Sequence, residues 1–76
     1  MGEAQDIGWA VKQLLNGSNV VRRGWNGPGQ FLVLQRGDPE KGLLPFVNIS
    51  TVHHELVPWL CSQTDLLATD WEVVNA

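Results

Sequence analysis

Apolar residues near the start of the chain recur at the spacing of a helix. Between Glu3 and Asn16 they lie three or four positions apart, which places them along one stripe of a helix. The members of this stripe are Ala4, Ile7, Val11, Leu14 and Leu15. Gly17 follows in the position of a C-terminal cap. The pattern predicts one amphipathic helix over residues 3–16, with Trp9 off its apolar stripe.

The remainder of the chain alternates between short apolar segments and turn residues. Its β-branched and alternating segments predict strands over residues 19–23, 30–35, 44–51, 56–60 and 71–74. Ser62–Asp65 has the form of a helix capping box, and one helical turn follows it. This order predicts an α+β fold, in which one N-terminal amphipathic helix packs on an antiparallel sheet of about five short strands. We expect a single domain, residues 1–76, with a one-turn helix near its C-terminus.

Composition and charge narrow the classes of partner. Hydrophobic residues make up 43% of the chain and charged residues 17%, which is typical of a folded protein rather than a disordered one. The net charge of -3 opposes binding to DNA or RNA, because that binding draws on an excess of Lys and Arg. The 5 Lys and Arg residues are enough to hold one small phosphorylated ligand. No apolar run approaches the length of a membrane span, and the lone Cys61 fits a reducing cytoplasm.

The chain is short for a protein that folds alone. At 76 residues its core supplies only a small margin of stability, and a single Cys excludes an internal disulfide. No dense cluster of Cys and His suggests a structural metal. We therefore expect the chain to self-associate. Trp9, off the helix stripe, is the candidate for the subunit interface.

Residues at the first glycine-rich turn, Gly24–Gly29, suit a nucleotide. Arg22 and Arg23 supply two cations, Trp25 a flat ring, and Asn26 an amide that both donates and accepts. These groups fit a purine attached to phosphates. Strand alternation allows only one of the two arginines to face a given side of the sheet. The alternative is an ordinary hairpin loop that Trp25 anchors, with one arginine facing water.

A second set of candidates lies between Pro58 and Trp71. Ser62–Asp65 caps a helix, and the free N–H groups at a helix start can also receive an anion or a ribose. Trp59 either walls a cavity or closes the end of the sheet. Trp71, in an alternating strand, is expected in the core.

The reactive residues form no catalytic pattern. Cys61 and Ser62 lack the turn that presents a nucleophile. His53 and His54 would point to opposite faces of an extended backbone, which disfavours a shared zinc ion. No two carboxylates have a spacing that suggests a general acid and base. We expect no catalytic residue, no metal and no cofactor.

Two long motifs cover much of the chain. The first is R-R-x-W-N-G-x-G-x-F over residues 22–31, and the second is P-W-x-x-S-Q-T-D-L-L-A-x-D-W over residues 58–71. Together with the helix that ends at Gly17, they resemble the phage Thoeris anti-defence family of the second type. The segment Leu34–Phe46 is shorter than in many relatives, and Thr51–Glu55 replaces a turn that is usually rich in Asp and Gly.

The resemblance implies a small sponge protein that binds and sequesters a nucleotide immune signal without cleaving it. The implied signal is glycocyclic ADP-ribose of the Thoeris system, with cyclic dinucleotides of CBASS defence as further ligands. The resemblance also implies a tetramer of paired dimers that holds ligand between chains. The protein is expected to act in the cytoplasm of the infected bacterium. The ligand contacts implied by the matching motif positions are Arg22, Arg23, Trp25, Asn26, Phe31, Pro58, Trp59, Ser62, Gln63, Thr64 and Asp65. Two alternatives stay open, a protein-interaction module with exposed Trp residues and a hydrolase of the nucleotide signal.

Overall fold

The computed structural model describes residues 5–25 and 29–74. Its elements are α1 (Ile7–Leu15), β1 (Asn19–Arg22), β2 (Phe31–Gln35), a 3-10 turn (Pro39–Lys41), β3 (Phe46–Ser50), β4 (Leu56–Pro58), α2 (Gln63–Leu66) and β5 (Trp71–Val74). They form one helix on a five-stranded antiparallel sheet, with a one-turn helix shortly before the last strand. The predicted α+β fold is confirmed. Among these helices, none is both long and apolar enough to cross a membrane.

The strands lie in the order β4-β3-β2-β1-β5. Hairpin connections join β1 to β2, β2 to β3 and β3 to β4, and each neighbouring pair is antiparallel. Since β4 and β5 lie at opposite edges, residues 59–70 have to cross the sheet to reach β5. We call this segment, which includes α2, the crossover.

The two faces of the sheet differ in what packs on them. Cross-strand partners in an antiparallel sheet project to the same side. The covered face carries Val20, Leu32 and Trp71, which are buried together with Ala10 and Leu14 of α1. The hydrophobic core therefore lies between this face and α1.

The crossover passes over the same face. Trp59 at its start and Ala68 near its end both pack against the core. The main-chain N–H of Trp59 also donates to the carbonyl of Val47 over 2.9 Å, which extends the pairing with β3 by one residue. The crossover that leads into β5 therefore also contributes side chains to the core.

Helix α1 begins later than predicted. Gln5 pairs with Asp70 in an isolated β-bridge, so this residue is part of the sheet rather than of the helix. Asp6 then caps α1, its carboxylate accepting from the Trp9 N–H over 2.9 Å. The predicted start at residue 3 is therefore wrong, and that residue lies outside the described part of the chain.

The buried side of α1 is also turned relative to the predicted stripe. Of the predicted stripe, Leu14 is buried and Ile7 packs against the core, whereas Val11 and Leu15 are exposed. Ala10, which lies outside that stripe, is fully buried. Residue 4, the first member of that stripe, lies outside the described residues. Trp9, predicted to be off the stripe, is half-buried and packs against the core. The helix thus turns Trp9 towards the sheet of its own chain, and a role of Trp9 in a subunit interface stays a prediction.

The open face is the side of the sheet that neither α1 nor the crossover covers within the described residues. Asn48 and Ser50 of β3 project from it and are nevertheless buried. Their small side chains lie between larger cross-strand neighbours, as Ser50 does between Phe31 and Leu56. Leu56 is itself exposed, and so is Phe46 on the same face. This face therefore combines a polar centre with exposed apolar side chains.

The connection between β2 and β3 closes tightly on itself. Asp38 and Leu43 exchange two main-chain hydrogen bonds of 2.9 Å, and the 3-10 turn lies between them. Gly37 has a φ of +79°, and a Cβ there would lie 2.6 Å from the Leu43 carbonyl oxygen. Gly42 also has a positive φ, +72°, but a Cβ would meet nothing within 4 Å.

We expect Gly37→Ala to lower the free energy of unfolding by about 3 kcal/mol, because it adds a backbone clash to a left-handed conformation. Gly42→Ala is the matched control and should cost only about 1–2 kcal/mol, since it has the unfavourable φ without the clash. Urea unfolding of the two variants measures both losses. Equal losses would contradict the tight closure of this connection.

Candidate functional site

One end of the sheet gathers residues of both motifs. β1 ends there at Arg22, β2 begins there at Phe31, and β5 begins there at Trp71. The turn between β3 and β4 reaches the same end, because a Cβ at Gly29 would lie 3.7 Å from Cε1 of His54. Of the glycine-rich loop, Gly24 and Trp25 thus lie close to the start of β5, and Gly29 lies close to this turn.

Arg22 lies at the centre of a charged cluster that joins the two motifs. Its Nη1 donates to Oδ1 of Asp65 and its Nε to Oδ1 of Asp70, both over 2.8 Å. The side chains are mostly buried, with exposed fractions of 16% for Arg22, 13% for Asp65 and 28% for Asp70. One cation therefore serves two carboxylates, and the cluster has an excess of negative charge.

The cluster shifts the pKa values of its members. The hydrogen bond from Arg22 lowers the pKa of Asp70 below its ordinary value, and the N–H of Gly24 adds to this against the opposing effect of burial. In turn Asp70 first, and Asp65 second, raise the pKa of Arg22 above its ordinary value. Both shifts favour the charged forms, so the ion pair between Arg22 and Asp70 persists over the neutral pH range.

Trp25 is fixed at its backbone and at its ring. Its N–H donates to the Arg22 carbonyl over 3.1 Å, and its indole Nε1 donates to Oδ1 of Asp65 over 3.1 Å. The ring also packs edge-on against Trp71, with 5.4 Å between centroids and 79° between planes. Trp25 therefore anchors the glycine-rich loop to the crossover and to the core.

Three tryptophans meet on the covered face. Trp71 is fully buried, which confirms the prediction that it belongs to the core. Trp25 packs against it, and Trp59 does so with 6.0 Å between centroids and planes at 87°. The indole Nε1 of Trp71 is buried and has no hydrogen-bond partner among the described residues. The three tryptophans thus connect one residue of the first motif with two residues of the second.

The start of α2 uses one half of the predicted capping box. Ser62 Oγ accepts from the Asp65 N–H over 3.1 Å, as an N-cap residue does. The Asp65 carboxylate turns instead to Arg22 and Trp25. The Asp65 side chain therefore joins the second motif to the first, and the cap of α2 is formed by Ser62.

Arg23 lies apart from this cluster. Its Nε is 3.3 Å from Oε2 of Glu72, and its side chain is 68% exposed. Glu72 belongs to the open face, whereas Arg22 projects from the covered face with its partner Trp71. The prediction that the two arginines face different sides is confirmed.

The remaining predicted contacts are spread over the surface. Phe31 and Pro58 belong to the open face, since their cross-strand partners are Ser50 and Asn48. Two more are exposed residues of α2, namely Gln63 and Thr64. Asn26 lies outside the described residues. The structure therefore brings together Arg22, Trp25, Trp59 and Asp65 of the predicted set.

Hydrogen bonds and ring contacts make up the chemistry of this end. The described residues contain no group of three or more His, Cys, Asp or Glu side chains that could hold a metal ion. Desolvation first, and nearby Asp65 second, raise the pKa of the Cys61 thiol above its ordinary value, which keeps it protonated at neutral pH. The groups that this end of the sheet offers to a ligand are carboxylate, guanidinium and indole groups.

Two comparisons with known proteins place the chain in a family. Residues 5–74 match the family model of the Thoeris anti-defense 2-like domain. The chain is also 33% identical to Thoeris anti-defense 2 of Bacillus phage SP01 over 89 aligned residues, which cover 99% of this chain and 100% of that protein. The chain belongs to the Thoeris anti-defense 2 family. The resemblance seen in the two motifs is confirmed, and the protein takes its place among phage anti-defence proteins.

The predicted set of site residues omits one member of the charged cluster. Asp70 contacts Arg22 and Gly24 but was not among the predicted site residues. The available signal was its position in the D-W pair that ends the second motif, directly before Trp71. The motif indicates an aspartate at this position of the chain, but it does not show which residues the aspartate contacts.

Proposed function

We propose that this member of the Thoeris anti-defense 2 family sequesters a nucleotide immune signal without cleaving it. The observation that carries the proposal is the union of the two family motifs at one end of the sheet, through Arg22, Trp25 and Asp65. The proposed ligand is glycocyclic ADP-ribose, with CBASS cyclic dinucleotides as a second class. The proposed place of action is the cytoplasm of the infected bacterium.

The groups at this end of the sheet suit the parts of a nucleotide. A base that stacks on a tryptophan ring gains about 1–3 kcal/mol, and Trp25 is held in a fixed orientation for such a contact. Asp65 accepts hydrogen bonds, so it suits a ribose hydroxyl or a base amine and repels a phosphate. Sequestration requires only that these contacts be tight, and it requires no group that activates water.

Isothermal titration with glycocyclic ADP-ribose tests the proposal directly. We expect saturable binding with a fixed ratio of ligand to chain. Unsubstituted ADP-ribose serves as the matched ligand control for recognition of the cyclic form. Absence of binding to both nucleotides and to cyclic dinucleotides would contradict the proposed function.

Among the described arginines at this end of the sheet, Arg23 is the one left to contact a phosphate, since Arg22 is already held by two carboxylates. Arg23 projects from the open face, so this contact requires the phosphates of the ligand to extend from Trp25 around the end of the sheet to that face. We expect Arg23→Ala to weaken the binding of glycocyclic ADP-ribose by about 1.5–3 kcal/mol, the loss of a charge-assisted hydrogen bond. Its melting temperature should stay close to that of the wild type, because the side chain is mostly exposed. Arg36→Ala removes another exposed arginine, from the opposite end of the sheet, and should bind normally. Wild-type affinity in Arg23→Ala would remove phosphate recognition from this residue.

We propose further that the protein is a tetramer of paired dimers, with ligand held between chains. Large apolar side chains remain exposed over several elements of the single chain. Those with the largest exposed fractions are Leu60 at 92%, Leu44 at 80% and Leu67 at 76%. Burying such side chains between subunits would add the stability that a chain of 76 residues lacks. Sedimentation should show a species near four times 8.4 kDa, and a species of 8.4 kDa alone would contradict the assembly.

A protein-interaction module is the second candidate function. The exposed Trp residues predicted for it are not found, because Trp71 is buried and the other three tryptophans are half-buried. The exposed Leu60 and Leu67 of the crossover favour it instead, because exposed apolar side chains also suit a protein partner. The two candidates differ in their dependence on Trp25. Loss of nucleotide binding in Trp25→Ala with assembly unchanged supports sequestration, whereas nucleotide-independent activity against the defence system supports the interaction module.

A further inference from the structure

Asp70 contacts three consecutive residues at the point where β1 leaves the sheet. Its main-chain carbonyl accepts from the Arg23 N–H over 3.0 Å. Its Oδ1 accepts from Arg22 Nε over 2.8 Å, and its Oδ2 accepts from the Gly24 N–H over 2.9 Å. The start of the glycine-rich loop is thus held by one residue of the crossover.

Gly24 leaves little room beside this carboxylate. A Cβ at residue 24 would lie 3.1 Å from Oδ2 of Asp70 and 3.4 Å from Nη2 of Arg22. The close approach allows the Gly24 N–H to reach the carboxylate at hydrogen-bond distance. A side chain at residue 24 would therefore press against the Asp70 carboxylate that accepts from the backbone there.

These contacts extend from Asp70 to the ring of Trp25. The Trp25 N–H donates to the carbonyl of Arg22, so the backbone of Trp25 follows the turn that Asp70 holds. Asp65 holds the indole at the other end, over 3.1 Å. One carboxylate thus fixes the backbone at the start of the loop, and the other fixes the ring.

We propose that Asp70 is a positioning residue for the start of the glycine-rich loop, Gly24 and Trp25, and that it orients Trp25 for nucleotide binding through Arg22 and the Gly24 N–H. Asp70 itself does not touch the ligand. The part that concerns ligand rests on the proposed function, whereas the part that concerns the loop is independent of it. The two donors bond to different oxygens of the carboxylate, Arg22 Nε to Oδ1 and the Gly24 N–H to Oδ2. Asparagine replaces one of these oxygens by an NH2 group, which faces one of the two donors with another donor.

Asp70→Asn tests this role with two measurements on the folded protein. Hydrogen exchange at the Gly24 amide should become about tenfold faster, while exchange at core amides such as that of Leu32 stays unchanged. Glycocyclic ADP-ribose should dissociate about tenfold faster or more, at a temperature where the variant is fully folded. A role limited to overall stability would speed exchange at the core amides as well.

Two further variants keep the test decisive. Glu40→Gln removes the same unit of charge at the opposite end of the sheet and should match the wild type in both measurements. Gly24→Ala keeps every charge and presses its Cβ against the Asp70 carboxylate, so it should change both measurements in the same direction. It also replaces Asp70→Asn if that variant does not fold.

The outcomes separate the positioning role from the proposed function. Wild-type exchange at Gly24 in folded Asp70→Asn would overturn the inference, and so would faster exchange combined with wild-type dissociation of the nucleotide. Faster exchange at Gly24 in Asp70→Asn, with no nucleotide bound by the wild type, would support the effect on the loop and reject the proposed function.

Discussion

Arg22→Ala should lower the free energy of unfolding by about 3 kcal/mol, near the lower limit for breaking a buried ion pair. The variant leaves Asp65 and Asp70 close together without their shared cation. Water reaches Asp70 more easily than Asp65, which keeps the loss from being larger. Urea unfolding measures it. Arg36→Ala is the matched control, because that exposed arginine makes one long hydrogen bond of 3.3 Å, to the Leu15 carbonyl, and should change stability by about 0.5 kcal/mol or less.

The dependence of stability on pH gives a second measurement of the same ion pairs. Arg22 lowers the pKa of Asp70 in the folded protein, so the unfolded chain binds a proton at Asp70 more readily than the folded one does. The stabilisation is therefore complete above the ordinary pKa of an aspartate and is lost as the pH falls through the lowered value. Stability of the wild type should fall below about pH 5, and Arg22→Ala should show a shallower fall. Identical pH profiles, or a loss in Arg22→Ala as small as that in Arg36→Ala, would contradict the structural role of the cluster.

Trp71→Ala should lower the free energy of unfolding by about 3–5 kcal/mol, the range for truncating a buried large aromatic side chain. Trp71 is fully buried, and both Trp25 and Trp59 pack against it, so the cavity would lie at the centre of the core. That loss approaches the whole stability of a small domain. We expect circular dichroism at 37 °C to show a largely unfolded protein.

Trp71→Phe is the matched control for this prediction. It keeps an aromatic ring in contact with Trp25 and Trp59 and removes an indole N–H that has no partner among the described residues. The loss should therefore be clearly smaller than for alanine, because an unpaired buried donor is removed together with part of the ring. Equal losses for the two variants would show that the indole N–H matters more than the packing.

The sequence predicted the order of the elements, because local patterns determine most of them. Alternating segments and turn residues marked the strands, and alternation also placed Arg22 and Arg23 on different sides of the sheet. The start of α1 was predicted too early because Gln5 pairs with Asp70, a contact between residues far apart in the chain. A hydrophobic stripe cannot reveal such a contact.

The candidate site was predictable as two motifs but not as one cluster. The motifs predicted Trp25 and Asp65 as ligand contacts, and the resemblance to the family predicted that the ligand is a nucleotide. The hydrogen bonds that join them depend on the path of the crossover over the sheet, which no local pattern determines. For the same reason the sequence left open which of the two arginines would face a phosphate, whereas the fold pairs Arg22 with two carboxylates.

Release of bound nucleotide on denaturation tests the central claim most directly. The protein is incubated with glycocyclic ADP-ribose, separated from free nucleotide by gel filtration, heated to denature it, and the released material is identified by mass spectrometry. We expect nucleotide of unchanged mass and unchanged chromatographic position, in a fixed ratio to the protein. A changed product would indicate a hydrolase. Absence of retained nucleotide would contradict sequestration.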